Sequence, residues 1–117
     1  MTTPDNITSL LPNSVFVFGS NGIGSHNAGA AKVAHENFGY PMGVSTGIVG
    51  QAYGIDTMGR IDKMKQDIEQ FVLTAKSLPA LTFYLTKVGC GIAGYEEEYM
   101  KELFQSTPNN VIKPKGW

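Results

Sequence analysis

The chain has 117 residues, a formal net charge of −1 at pH 7 and 14 glycines, where about eight are usual for this length. The length fits one domain. The near-zero charge gives no broad argument for binding nucleic acid or a membrane surface, and no apolar run approaches the roughly 20 residues that span a bilayer. Cys90 is the only cysteine, which excludes an internal disulfide and a cysteine-built zinc site, and no cofactor is expected.

The first predicted element is a strand from Ser14 to Gly19. This segment is rich in β-branched and aromatic residues without polar alternation, a pattern typical of a strand that is buried on both faces in a parallel sheet. A glycine-containing loop at residues 20–27 follows, and the spacing of apolar residues then predicts a helix from Ala28 to Phe38. Residues 1–13 are expected to form an irregular N-terminal segment.

The middle of the chain predicts short strands at Val44 and at residues 51–55, on either side of a glycine-rich loop from Ser45 to Gly50. The clearest helix runs from Ile61 to Ser77, where apolar residues repeat every three or four positions. Asp62 is a reasonable N-cap for this helix.

A second buried strand is predicted from Leu81 to Thr86, and it leads into the glycine-rich loop at residues 87–94. A short helix at residues 96–105 and a last strand from Asn110 to Lys113 complete the chain. Strands that alternate with helices predict an α/β layered fold with a mostly parallel sheet. Ligands bind at the carboxyl ends of the strands in such sheets, where three glycine-rich loops are expected to gather.

Two known phosphate-binding motifs match this chain only in part. Gly22-Ile-Gly24 starts a dinucleotide fingerprint, yet Asn27 occupies the place of the third glycine. A Walker A loop would need its lysine directly after Gly29, whereas the chain has Lys32. Small residues at a helix N-terminus remain, and unpaired amides and the helix dipole favour an anion there.

Three segments resemble macro domains: Phe18-Gly-Ser-Asn21, Gly29-Ala-Ala31 at the start of a helix, and Val88-Gly-Cys-Gly-Ile-Ala-Gly94 after a buried strand. The similarity is to their compact branch, which includes ADP-ribosyl-glutamate hydrolases, and to small phage-associated macro-like proteins. It spans about residues 14 to 104. The resemblance implies a single macro-like domain over residues 1–117, a three-layer α/β/α fold with a mixed, mostly parallel sheet.

The resemblance also implies a ligand, which is ADP-ribose or a related nucleotide. Asn21 and the segment Gly29 to Ala31 would lie against the distal ribose, and Gly89 to Gly94 would hold the diphosphate. The compact hydrolases have an aspartate just after the Gly-Cys-Gly-Leu turn, and Ala93 stands at that place here. This departure affects hydrolysis more than it affects binding.

Residues from all three glycine-rich loops make up the predicted ligand site. Arg60 would pair with a phosphate through its planar guanidinium, and Tyr95 would stack on a base or ribose. The predicted ligand-binding residues are Gly19, Ser20, Asn21, Gly29, Ala30, Ala31, Ser45, Thr46, Gly47, Arg60, Gly89, Cys90, Gly91, Ile92, Ala93, Gly94 and Tyr95.

The sequence leaves three functions open. The first is a nucleotide-binding protein that sequesters a signal. The second is a hydrolase of an ADP-ribosyl or phosphate ester bond, with Asn21, His26 and Asp56 as catalytic residues that orient and deprotonate water. The third is a non-enzymatic, phage-encoded protein-interaction module. All three are expected in the cytoplasm of a bacterium or of a phage-infected host.

Overall fold

The computed structural model describes residues 1–117 and alternates strands with helices along the chain. The elements in chain order are β1 (Ser14–Ser20), α1 (Gly29–Asn37), β2 (Gly47–Val49), β3 (Ala52–Asp56), α2 (Ile61–Ser77), β4 (Thr82–Leu85), α3 (Glu97–Leu103) and β5 (Val111–Ile112).

The five strands form one mixed sheet in the order β2-β3-β1-β4-β5. Strand β1 lies at the centre and pairs in parallel with β3 and with β4, and β4 pairs in parallel with β5. Only β2 runs antiparallel to its neighbour β3. The predicted α/β fold with a mixed, mostly parallel sheet is therefore confirmed.

Strand β1 supplies side chains to a hydrophobic core on each face of the sheet, because successive side chains of a strand point to opposite faces. Val15 and Val17 belong to a core of 14 buried residues that also contains the apolar faces of α2 and α3. Phe16 and Phe18 belong to a core of eight buried residues that contains the buried residues of α1. The sheet therefore separates two helical layers, as the sequence predicts.

Helix α2 has the bounds that the sequence predicts, but its first residues differ from the prediction. The N-cap is Arg60, whose side chain makes no capping hydrogen bond, and Asp62 lies inside the first turn. The carboxylate of Asp62 accepts from the backbone N–H of Lys63 and from Nε of Arg60. Asp62 thus favours the helix through the dipole at its N-terminus, not as the capping residue.

The first strand of the middle region differs from the prediction. Val44 lies outside every strand, and β2 forms from Gly47–Val49, inside the segment predicted to be a loop. Strand β3 fixes this position, because Gly47 pairs with Gly54 and Val49 with Ala52. The backbone carbonyl of Val44 instead contacts Nε2 of His26 at 2.8 Å.

Residues 1–13 contain no helix or strand. The segment is nevertheless bound to the sheet, since the backbone N–H of Thr3 donates to the carbonyl of Lys113 at 2.8 Å and its hydroxyl donates to that of Ile112 at 3.0 Å. Ile7 is buried in the core on the α1 side. The N-terminal segment therefore covers the β5 edge of the sheet.

We expect the substitution Gly24→Ala to destabilise the protein strongly. Gly24 has a φ of +68°, and a Cβ atom there would lie 2.4 Å from the carbonyl carbon of Gly43. Backbone strain and overlap with a backbone neighbour together cost about 2 to 4 kcal/mol, so the melting temperature should fall by about 10 °C or more.

The matched control is Gly91→Ala, because φ at Gly91 is not positive and a Cβ atom there would have no heavy atom within 4 Å. This variant should stay within about 0.5 kcal/mol of the original protein. Thermal unfolding followed by circular dichroism measures both variants. Equal melting temperatures for the two would contradict the close packing of Gly24 on Gly43.

Candidate functional site

A cavity of about 800 Å³ opens at the carboxyl ends of β1, β3 and β4. Its floor is formed by Gly19 and Ser20 at the end of β1, by Thr57 directly after β3 and by Thr86 directly after β4. Small-molecule sites commonly have volumes of about 300 to 1,000 Å³ and lie outside the carboxyl ends of parallel strands. The cavity therefore has the size and position of a ligand site.

The first wall of the cavity is the N-terminus of α1. Its N-cap, Ala28, makes no side-chain capping bond, and the first turn contains no acidic residue. The backbone N–H groups of Gly29, Ala30 and Ala31 donate to no acceptor in the protein, and these residues line the cavity. Unpaired amides at a helix N-terminus carry partial positive charge, which favours an anion.

The second wall is the loop after β4. Two backbone hydrogen bonds close this loop. The N–H of Tyr95 donates to the carbonyl of Gly89 at 2.8 Å, and the N–H of Cys90 donates to the carbonyl of Lys87 at 3.1 Å. The N–H groups of residues 91–93 have no acceptor in the protein, although all three residues line the cavity. This loop thus offers a second row of unpaired amides.

Gly89 permits a sharp backbone turn in the loop after β4, which forms the second wall. Its φ is +81°, and a Cβ atom there would lie 3.1 Å from Cε of Met100 and 3.3 Å from Cδ2 of Tyr95. Only glycine adopts this conformation without strain. The loop is consequently shaped by its internal hydrogen bonds and by close contact with Met100 of α3.

Two polar side chains of the cavity lining already have partners within the protein. The amide of Asn21 donates to the backbone carbonyl of Ser25 at 2.8 Å and accepts from the N–H of Ser25 at 2.9 Å. The hydroxyl of Thr86 donates to the carbonyl of Val17 at 2.7 Å. These side chains brace the cavity, so the unpaired donors on its two walls belong to the backbone.

Lys87 and Glu97 are the charged residues of the cavity lining. Their Nζ and Oε2 atoms lie 3.4 Å apart, and the side chains are 49% and 52% exposed. Glu97 also accepts a hydrogen bond at 3.3 Å from Nε1 of Trp117. This hydrogen bond, together with Lys87, lowers the pKa of the Glu97 carboxyl group below its ordinary value.

Cys90 also lines the cavity, but its environment does not activate the thiol. Burial raises the pKa of Cys90, and the negative charge of Glu97 raises it further, although Lys87 acts in the opposite direction. The reactive form of cysteine is the thiolate. The thiol is therefore protonated at neutral pH.

Two of the three glycine-rich loops line the cavity. The structure brings together these predicted ligand-binding residues: Gly19, Ser20, Asn21, Gly29, Ala30, Ala31, Gly89, Cys90, Gly91, Ile92 and Ala93.

The third glycine-rich loop lies outside the cavity lining, and with it Ser45, Thr46 and Gly47. The physical reason is the pairing of β2 with β3, in which Gly47 lies opposite Gly54. The carbonyl of Ser45 accepts a hydrogen bond from the Ser20 hydroxyl. This loop therefore supports the end of β1 from behind the cavity.

Three more residues of the predicted ligand site, Arg60, Gly94 and Tyr95, are also absent from the cavity lining. The side chain of Arg60 is 87% exposed, and its Nε lies 3.2 Å from Oδ1 of Asp62. Tyr95 stacks on Tyr99, with the ring centroids 5.8 Å apart.

Of the predicted catalytic residues, Asn21 lines the cavity and His26 and Asp56 do not. His26 is buried in edge contact with Phe18 and Tyr40, and its Nδ1 has no hydrogen-bond partner. The carboxylate of Asp56 accepts from the N–H groups of residues 58 and 59 at 3.0 and 3.2 Å. Asp56 thus closes the turn after β3.

Several lining residues were not predicted from the sequence. The available signal for Thr57, Met58, Thr86 and Lys87 was their position at the end of a predicted strand or within three residues after it, since the ends of parallel strands share one edge. Several other lining residues are next to a predicted site residue in the sequence, and this was the signal that could have identified them. The lining residues without a sequence prediction are Ser25, Asn27, Ala28, Thr57, Met58, Thr86, Lys87, Val88 and Glu97.

No family model, curated protein or solved structure matches the chain. The resemblance to macro domains therefore stays a prediction. None of the helices has the length and apolar character needed to cross a membrane.

Proposed function

We propose that the protein binds ADP-ribose or a related nucleotide, with the phosphates held between α1 and the loop after β4. One observation carries this proposal: two separate segments present unpaired backbone amides to the same cavity, residues 29–31 on one wall and residues 91–93 on the other. Successive backbone N–H groups in a concave arrangement are a recurrent way to bind phosphate oxygens.

The low charge of the chain is compatible with an anionic ligand of this kind. The amides at the start of α1 contribute fixed partial positive charge through the helix dipole, and they need no lysine or arginine to do so. A diphosphate presents several acceptor oxygens, and two rows of donors match it better than one row.

Apolar side chains at the cavity are suited to the rest of a nucleotide. Met58 and Ile92 both line the cavity and are 52% and 77% exposed. Ligand sites combine apolar side chains with a few well-placed polar groups, and these two residues would cover a base or a ribose. The loss of exposed apolar surface would add to the binding free energy.

Binding without turnover is the form of this function that the geometry favours. His26 and Asp56 lie outside the cavity lining, and the Cys90 thiol has a raised pKa. None of these three residues is thus placed or activated as a general base, while the backbone donors of the cavity are in place. A protein of this kind would sequester a nucleotide signal, a role that the resemblance to macro domains also supports.

We expect ADP-ribose to bind with a micromolar dissociation constant in isothermal titration calorimetry. The variant Ala30→Asp should weaken binding tenfold or more, because it places a carboxylate beside the unpaired amides of α1. An acidic residue is favourable in the first turn of a helix, so this variant should fold.

The matched control is Ala80→Asp, which adds the same charge at an exposed position just before β4. This position lies at the amino end of the strand, whereas the cavity lies at the carboxyl end. It should bind ADP-ribose as the original protein does. The proposal is wrong if ADP-ribose, its cyclic isomers and other dinucleotides all bind more weakly than 1 mM, or if both variants bind equally well.

Cys90 provides a second measurement of ligand occupancy. Burial and Glu97 raise the pKa of Cys90. Iodoacetamide should therefore alkylate Cys90 at pH 7 more slowly in the folded protein than in the urea-unfolded chain. The pH at which the alkylation rate stops rising should also be higher for the folded protein. Saturating ADP-ribose should slow the reaction further, since Cys90 lines the cavity. Mass spectrometry follows the modified fraction, and an unchanged rate with ADP-ribose would contradict binding in this cavity.

A further inference from the structure

Lys87 is placed where it would reach an anion in the cavity, but its charge is already neutralised. It is the cationic residue of the lining, and its Nζ lies 3.4 Å from Oε2 of Glu97, which is also a lining residue. The hydrogen bond from Trp117 to the other carboxylate oxygen holds Glu97 in this position. The charged side chains of the lining thus contribute no net charge while they are paired.

The pair is weak enough to exchange. Both side chains are about half exposed, and an ion pair in contact with water contributes little because solvent screens it. The diphosphate of ADP-ribose, in contrast, offers Lys87 two negative charges in total, next to the amides of both walls. Charge-assisted hydrogen bonds to phosphate are stronger than those between neutral groups.

We infer that Lys87 and Glu97 form a counter-ion switch, in which Glu97 neutralises Lys87 in the free protein and a phosphate-containing ligand takes the ammonium group from it. Glu97 then sets the selectivity of the cavity. It lowers the affinity for every anion by competing for Lys87, so that ligands with too few contacts to the amides on the walls are rejected. This inference rests on the proposed function for its nucleotide ligand, but not for the exchange of partners itself.

Calorimetry at 0.15 M salt, where the Debye length is about 8 Å, tests the switch. The substitution Glu97→Gln should strengthen the binding of ADP-ribose about threefold to fivefold, because it removes the competing carboxylate. Lys87→Gln should weaken binding about tenfold. In the double variant Lys87→Gln/Glu97→Gln, the gain in affinity from Glu97→Gln should fall below twofold, because the lysine for which the carboxylate competes is absent.

Glu98→Gln is the matched control. Glu98 lies in the same first turn of α3 and carries the same charge, but it does not line the cavity and forms no ion pair. It should leave the affinity for ADP-ribose within twofold of the original value. Adenosine, which has no phosphate, should bind all of these variants equally.

Inorganic pyrophosphate separates the failure of the switch from the failure of the nucleotide proposal. If ADP-ribose binds and Glu97→Gln changes nothing, or changes no more than Glu98→Gln does, the switch is wrong and the proposed function stands. If ADP-ribose fails to bind but pyrophosphate follows the predicted order of variants, the switch is supported and the nucleotide proposal is wrong. If neither compound binds any variant, both are overturned.

Discussion

The site depends on how closely three segments pack at the carboxyl end of β1. A Cβ atom at Gly19 would lie 3.2 Å from Oγ1 of Thr57 and 3.4 Å from the backbone nitrogen of Gly89. Thr57 follows β3 and Gly89 lies in the loop after β4, the two strands that pair with β1. A side chain at position 19 would crowd the Thr57 hydroxyl and touch the backbone of Gly89. The absence of a side chain at Gly19 therefore lets the two loops lie close to the end of β1.

The parallel pairing of β1 with β3 and with β4 also determines where the site forms. Because β1, β3 and β4 run in the same direction, the loops after them share one edge, and α1 begins at that edge too. Asn21 and Thr86 use their polar groups to hold backbone in place. The unpaired donors on the cavity walls are therefore backbone amides, whose positions are fixed by the fold. A chain with a net charge of −1 can in this way still present a site for an anion.

The sequence predicted the elements whose pattern reflects burial, and it did not predict those fixed by distant partners. Residues 61–77 repeat apolar side chains at helical spacing, so α2 could be identified from local sequence. Strand Gly47–Val49 exists through its pairing with β3, and nothing in three partly exposed residues indicates this. The same difference applies to the site: glycine-rich loops marked two walls, whereas Thr57 belongs to no motif. His26 was predicted to be a catalytic residue in the loop at residues 20–27, yet it is buried and contacts the carbonyl of Val44.

The positions of His26 and Asp56 are relevant to catalysis, because both residues lie outside the cavity lining. Catalysis requires interactions that strengthen in the transition state, such as proton transfer by a group within hydrogen-bond reach of the substrate. His26 contacts the carbonyl of Val44 from inside the core, and the carboxylate of Asp56 closes its own turn. The unpaired amides of α1 and of the loop after β4, in contrast, belong to residues that line one cavity. Donors that are fixed before a ligand arrives lower the cost of binding an anion, because little further ordering is needed.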